Sequence, residues 1–170
     1  MNVTLTLTIG EQNRARELVL KIIKWKKREA KNRIVLDKNV GENALDNEDN
    51  DLAAYGCEIL VARLLGFKHN DKILEDFYNY PDVGSDMEVK WNQKAWGGLF
   101  MRPGNSPRYT YVLCIGEFPT FTIVGCARGI EIIEKGKKVP GRVGKNGKSL
   151  GDAWVLNQRL LHNISNYYPK

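Results

Sequence analysis

Histidine and cysteine are scarce in this chain of 170 residues. His69 and His162 stand far apart, and Cys57, Cys114 and Cys126 follow no metal-ligand spacing. A zinc site, a histidine-based triad and a disulfide framework each need more than this. Long apolar runs are also missing. Met1 to Ile9 alternates with threonine, so neither a secretory signal nor a membrane-spanning segment is expected. The glycine-rich stretches lack Walker spacing followed by Lys-Ser/Thr, so no nucleotide cofactor is indicated. No internal repeat is visible, and the length suits one domain over residues 1–170. The cysteine usage makes a reducing, cytoplasmic setting the expectation. Nothing in the sequence indicates a homo-oligomer.

What the chain has in excess is positive charge: 26 Lys and Arg against 20 Asp and Glu, a net +6. That balance suits a nucleic-acid or other anionic partner without requiring one. Val3, Leu5, Leu7 and Ile9 alternate with Thr4, Thr6 and Thr8, which predicts a strand ended by Gly10. From Glu11 to about Lys31 the period becomes helical. Ala15, Leu18, Val19, Ile22 and Ile23 share one face; Lys21, Lys24, Lys27, Arg28 and Lys31 share the other. Residues 37–50 are acidic and polar and read as a connection. A calcium loop over Asn47–Glu58 is rejected, because Leu52 stands where the sharp turn needs glycine.

A helix from about Asp51 to Leu65, closed by Gly66, is apolar nearly all round. Gly56 and three alanines permit close approach to a sheet. Within it, Glu58 has Ala54, Tyr55, Val61 and Ala62 one turn away. A buried carboxylate without a partner is very costly. Either Glu58 finds a basic side chain or a metal ion off the helix, or it lies at a helix edge and reaches water.

Tyr109–Ile115 and Thr120–Ala127 are apolar on both faces and read as central strands joined at Glu117-Phe118-Pro119. Gly129 to Ile133 is expected to continue the second strand or begin a short edge strand. Ala153 to Ile164 closes the chain as a short strand or helix. Two loops carry cations: Lys94 to Ser106, with Trp96 and Arg102, and the glycine-rich Lys135 to Lys148. Stacking on bases and contact with phosphates suit this composition, as does an ordinary solvated surface. Lys94, Arg102, Lys138, Arg142 and Lys145 are the expected nucleic-acid contacts.

The densest chemistry lies in Pro81-Asp82-Val83-Gly84-Ser85-Asp86-Met87-Glu88-Val89-Lys90. Met87, Val89 and Trp91 alternate with Glu88, Lys90 and Asn92, the period-2 pattern of a strand. A three-residue turn, Gly84 to Asp86, sets Asp82 opposite Glu88 and brings acid, acid and lysine together. A two-residue Gly84-Ser85 turn sends Asp82 to the other face. Carboxylates that share Mg²⁺, with a lysine beside them, suit phosphodiester hydrolysis.

Pro81-Asp82 followed by Glu88-Val89-Lys90 resembles the PD-(D/E)XK nuclease superfamily. The run Ala53 to Glu58, leading to Leu64-Leu65-Gly66, is similar to the acid-bearing helix that precedes the hairpin in many members. The likeness covers roughly residues 50 to 130. It implies an α/β fold, a restriction-endonuclease-like mixed β-sheet flanked by α-helices with an αβββαβ-type core. It also implies a Mg²⁺-dependent deoxyribonuclease, with Mn²⁺ able to substitute and DNA as the partner. The catalytic set is then Asp82, Glu88, Lys90 and Glu58, with Val89 placed beside the three acids as a metal ligand. The Asp-to-Glu interval is short, and Asp86 is a rival for the first acid because it shares strand parity with Glu88. Two other readings stay open: an inactive nucleic-acid-binding or inhibitory protein on the same fold, and a membrane-surface protein using the basic helix near Lys24.

Overall fold

A computed structural model describes residues 2–34, 48–70, 80–141 and 152–166, with the side chains of the first helix followed as far as Trp25. The chain opens with strand β1 (Val3–Thr6) and helix α1 (Ile9–Ile34). Gly10 therefore lies inside the first helical turn and does not close a strand. Thr8 and Glu11 explain the earlier switch. The Glu11 carboxylate accepts from the Thr8 amide at 2.7 Å, and the Thr8 hydroxyl accepts from the Glu11 amide at 3.3 Å. This reciprocal pair is a capping box, and it starts the helix immediately after Thr8. Ala15, Leu18, Val19 and Ile22 are buried while Lys21 and Lys24 are exposed, as the periodicity predicts.

Helix α2 spans Glu48–Leu65, three residues longer at its start than expected, with Glu48, Asp49 and Asp51 in its first turn. Negative charge there complements the helix dipole. Every residue from Ala53 to Ala62 except Ala54 is buried. At Gly56 a methyl group would meet Phe121 Cε2 at 2.9 Å and Leu7 Cδ1 at 3.2 Å, so the helix backbone rests directly on the sheet.

Strands β2 (Met87–Asn92), β4 (Thr110–Glu117) and β5 (Thr120–Arg128) join β1 in a mixed four-stranded sheet of order β1-β5-β4-β2. The β2–β4 pair is parallel and the other two pairs are antiparallel. The two runs read as central strands do occupy the middle. A second, three-stranded sheet has the order β3-β7-β6, from β3 (Leu99–Met101), β6 (Lys137–Val139) and β7 (Ala153–Leu156). The Gly129 to Ile133 stretch is helical, within α3 (Gly129–Lys135), and does not continue β5. The Glu131 carboxylate accepts from the Arg128 amide at 3.0 Å and turns the chain out of the strand. After β7 the chain forms two short 3₁₀ turns, Gln158–Leu160 and Ile164–Asn166.

These elements stack in layers. Helices α1 and α2 cover one face of the mixed sheet, burying Met87 and Val89 of β2 with Val112, Phe121 and Ile123. Leu99, Met101, Leu156 and Ile132 of β3, β7 and α3 cover the other face, over Tyr111, Leu113 and Ala127. The edge beyond β2 is left for the segment that precedes it, and that edge holds the acids. Among the described residues, no helix is long and apolar enough to cross a membrane.

Candidate active site

Val83 forms an antiparallel bridge with Met87, its amide donating to the Met87 carbonyl at 3.1 Å. Gly84, Ser85 and Asp86 are thus a three-residue turn, with Gly84 at a φ of 60° that favours glycine. Continuing that register places Asp82 opposite Glu88. Asp82 Oδ2 accepts from the Val89 amide at 2.7 Å, so the aspartate closes on the outer edge of β2. Val89 itself points into the core, and its N–H is already committed to Asp82. Asp86 lies in the turn, where its carbonyl accepts from the Thr110 amide at 2.8 Å.

On the polar face of β2, Lys90 Nζ lies 2.6 Å from Glu88 Oε2, with both side chains mostly shielded from water. The ammonium also sits 5.8 Å from the centre of the Tyr111 ring. Glu58 approaches from α2 and is only 7% exposed. It has found a basic partner off the helix: His69 Nε2 is 2.9 Å from its Oε2. Of the two readings of Glu58, the buried and partnered one holds.

His69 is the site residue that the sequence reading passed over. Helix α2 ends in a Schellman turn: Gly66 has φ 71°, Phe67 N donates to Ala62 O at 2.9 Å, and Gly66 N donates to Arg63 O at 3.3 Å. The chain then doubles back beside its own helix. His69 bridges to Val83, and Asn70 grips the hairpin through bonds from Nδ2 to Pro81 O (2.9 Å) and Gly84 O (2.8 Å). One short segment therefore fixes both Glu58 and the turn that carries Asp82. The available signal was the glycine stop followed three residues later by histidine.

Electrostatics tie the four groups into one cluster. Burial pushes the Glu58 carboxyl from an ordinary 4.5 up to about 8, with Lys90 opposing the rise and Glu88 adding to it. Asp82 is held well above its ordinary value, first by burial, then by Glu58 and Glu88; Lys90 and the Val89 amide pull it back. Carboxyls that raise one another in a water-poor place hold on to their protons, and ionising all of them together calls for a compensating cation. That need, and the all-oxygen donor set, suit a hard divalent cation, which would displace the protons. The acids are nevertheless not gathered round one point. Among the described residues, no group of three or more His, Cys, Asp or Glu side chains is arranged to hold a metal ion. Each acid is drawn to a different partner: Glu58 to His69, Asp82 to the Val89 amide, Glu88 to Lys90.

The expected nucleic-acid contacts are dispersed. Lys94 is exposed beyond β2, its Nζ 4.8 Å from the centre of the Trp96 ring, and Trp96 is 76% exposed. Gln158 Nε2 pins this loop by donating to Ala95 O at 2.8 Å and Gly97 O at 2.7 Å. Arg102 is exposed beside Phe100. Lys138 lies on β6 in the second sheet and pairs with Asp152 at 3.2 Å. Arg142, Lys145 and Lys148 lie outside the described residues. No family model, curated protein or solved structure matches this chain.

Proposed function

We propose that this protein is a divalent-metal-dependent deoxyribonuclease on a restriction-endonuclease-like variant of the mixed sheet. The observation that supports this reading best is the electrostatic coupling of Asp82, Glu88, Lys90 and Glu58 beside β2, where the three-residue turn between Val83 and Met87 sets Asp82 opposite Glu88. In this reading Asp82, Glu88 and Glu58 would hold Mg²⁺ or Mn²⁺ once drawn from their present partners. The bound cation supplies Lewis acidity and a low-pKa water. Lys90, released from Glu88, orients the attacking water and offsets charge on the phosphate. His69 anchors the Glu58 carboxyl at 2.9 Å, and Asn70 holds the hairpin that carries Asp82. DNA as the substrate draws on the net +6 charge and on the exposed Lys94 and Arg102.

The test is a cleavage panel of linear, circular, single-stranded and branched DNA with Mg²⁺, Mn²⁺ or EDTA. Metal-dependent cleavage of at least one substrate is expected. No cleavage of any of them with either metal overturns the reading. A second reading, a catalytically inactive nucleic-acid-binding protein, is favoured by the close Glu88–Lys90 pair, which occupies the lysine. DNA binding without cleavage selects it.

A further inference from the structure

Away from the acids, Pro107, Arg108, Arg128 and Ile130 line an open pocket of about 440 Å³. Both arginines are exposed at its rim, and among the described residues neither guanidinium has a carboxylate partner. Two like charges at one depression attract an anion, while the neighbouring Glu131 carboxylate is taken by the Arg128 amide, Lys135 and His162. The guanidinium fork matches a phosphate through paired hydrogen bonds.

The pocket is firmly built. Ile130 N donates to Pro107 O at 3.0 Å, Gly129 N to Tyr109 O at 2.9 Å, and the Tyr111 hydroxyl to Ser106 O at 2.9 Å. A methyl group at Gly129 would meet Pro107 Cα at 2.8 Å and Ser106 O at 2.9 Å, so the segments bearing the two arginines close directly on each other. Register places the pocket at the end of the sheet where the acid strand begins. Thr110 pairs with Met87 on one side and with Arg128 on the other, while Glu88, one residue on, pairs with Tyr111. Arg128 therefore shares a row with Met87, two strand spacings, about 10 Å, across the sheet, and Glu88 follows on the alternate face. That spacing is short enough for one strand of a polynucleotide to reach both places.

We propose that Arg108 and Arg128 bind a phosphate of the polynucleotide backbone a few nucleotides from the acid cluster. The placement of that phosphate relative to a cut rests on the nuclease reading above; the anion site itself rests on the pocket.

The experiment measures binding of a short fluorescent duplex and its single strand across a salt series, in EDTA, and cleavage with Mg²⁺. Arg108→Ala and Arg128→Ala should each weaken binding several-fold and reduce the salt slope for duplex by about one unit. Melting temperature should not change, and kcat/KM should fall mainly through KM. Arg128→Lys should keep the salt slope because it keeps the charge. A double alanine variant with the wild-type slope and KM overturns the pocket and leaves the nuclease reading standing. Wild-type binding without cleavage, still weakened in the arginine variants, overturns the nuclease reading and keeps the pocket. No wild-type binding to either probe at low salt overturns both.

Discussion

His69 Nε2 lies 2.9 Å from Glu58 Oε2, at a place where neither side chain has much access to water. The bond joins the turn after α2 to the buried acid of that helix. Removing the imidazole leaves a buried carboxyl unsatisfied, which costs roughly 1–3 kcal/mol. We expect His69→Ala to lose about that much in a denaturant titration. Glu58→Gln keeps a side-chain oxygen facing His69 and should lose less. A His69→Ala variant as stable as the wild type would show that the pair holds nothing together.

The raised carboxyl of Glu58 sets a direction for pH. A group whose folded pKa exceeds its unfolded value binds more protons in the native state between the two values. Stability then falls as pH rises through that window. For Glu58 the window runs from about 4.5 to about 8. Asp82 is shifted in the same sense and adds to the slope from lower pH. In EDTA, the unfolding free energy should decline across this range, by about 1.4 kcal/mol per pH unit at most for each group. Glu58→Gln should flatten the decline. A stability that climbs from pH 5 to pH 8 in the wild type contradicts the burial of these acids.

Gly56 tests the packing that brings α2 onto the sheet. Alanine there places a methyl 2.9 Å from Phe121 and crowds Leu7 and Phe118 at 3.2 and 3.3 Å. Alanine is the better helix former by about 1 kcal/mol. Overpacking costs about 1–3 kcal/mol and should outweigh it. Gly56→Ala should therefore lower the melting temperature. Gly10→Ala, in the open first turn of α1 with nothing within 4 Å, should not. A stabilised Gly56→Ala would mean that the helix stands further from the sheet.

Legibility in the sequence followed the range of the interactions. The alternation from Met87 to Asn92 and the near-continuous apolar run of α2 are local patterns, and both elements stand where those patterns put them. Residue parity left the turn before Met87 open between two residues and three, and the Val83–Met87 bridge decides for three. Gly129–Lys135 was misread because short apolar runs suit a strand or a buried helix equally. What decides it is Glu131 turning back on the Arg128 amide, with Pro107 closing on Gly129 from another loop. The parallel β2–β4 pair was hidden because β3 comes between them in the chain yet belongs to the other sheet. The partner of Glu58 was hidden because it depends on the direction the chain takes after Gly66.

Glu88 and Lys90 test the proposed chemistry. In the metal-free protein Glu88 is attracted to Lys90 at 2.6 Å and raises the pKa of both Glu58 and Asp82. Glu88→Gln loses the first effect and relieves the second, so the two offset and metal-free stability should change by less than about 1 kcal/mol. Divalent metal that binds only the folded state should stabilise the wild type by RT ln(1 + [L]/Kd), about 2.7 kcal/mol at a hundredfold excess over Kd. Glu88→Gln should remove most of that rise and abolish cleavage. Lys90→Ala should also abolish cleavage, yet it frees Glu88 from its cation and should keep the metal-induced rise or enlarge it. Glu48→Gln, at the exposed start of α2, should change neither. The opposite split between the Glu88 and Lys90 variants is the signature of an acid that holds the ion and a lysine that serves the water. Equal loss of the metal response in both variants would make the pair a structural ion pair, and cleavage by Glu88→Gln at the wild-type rate would remove Glu88 from the site.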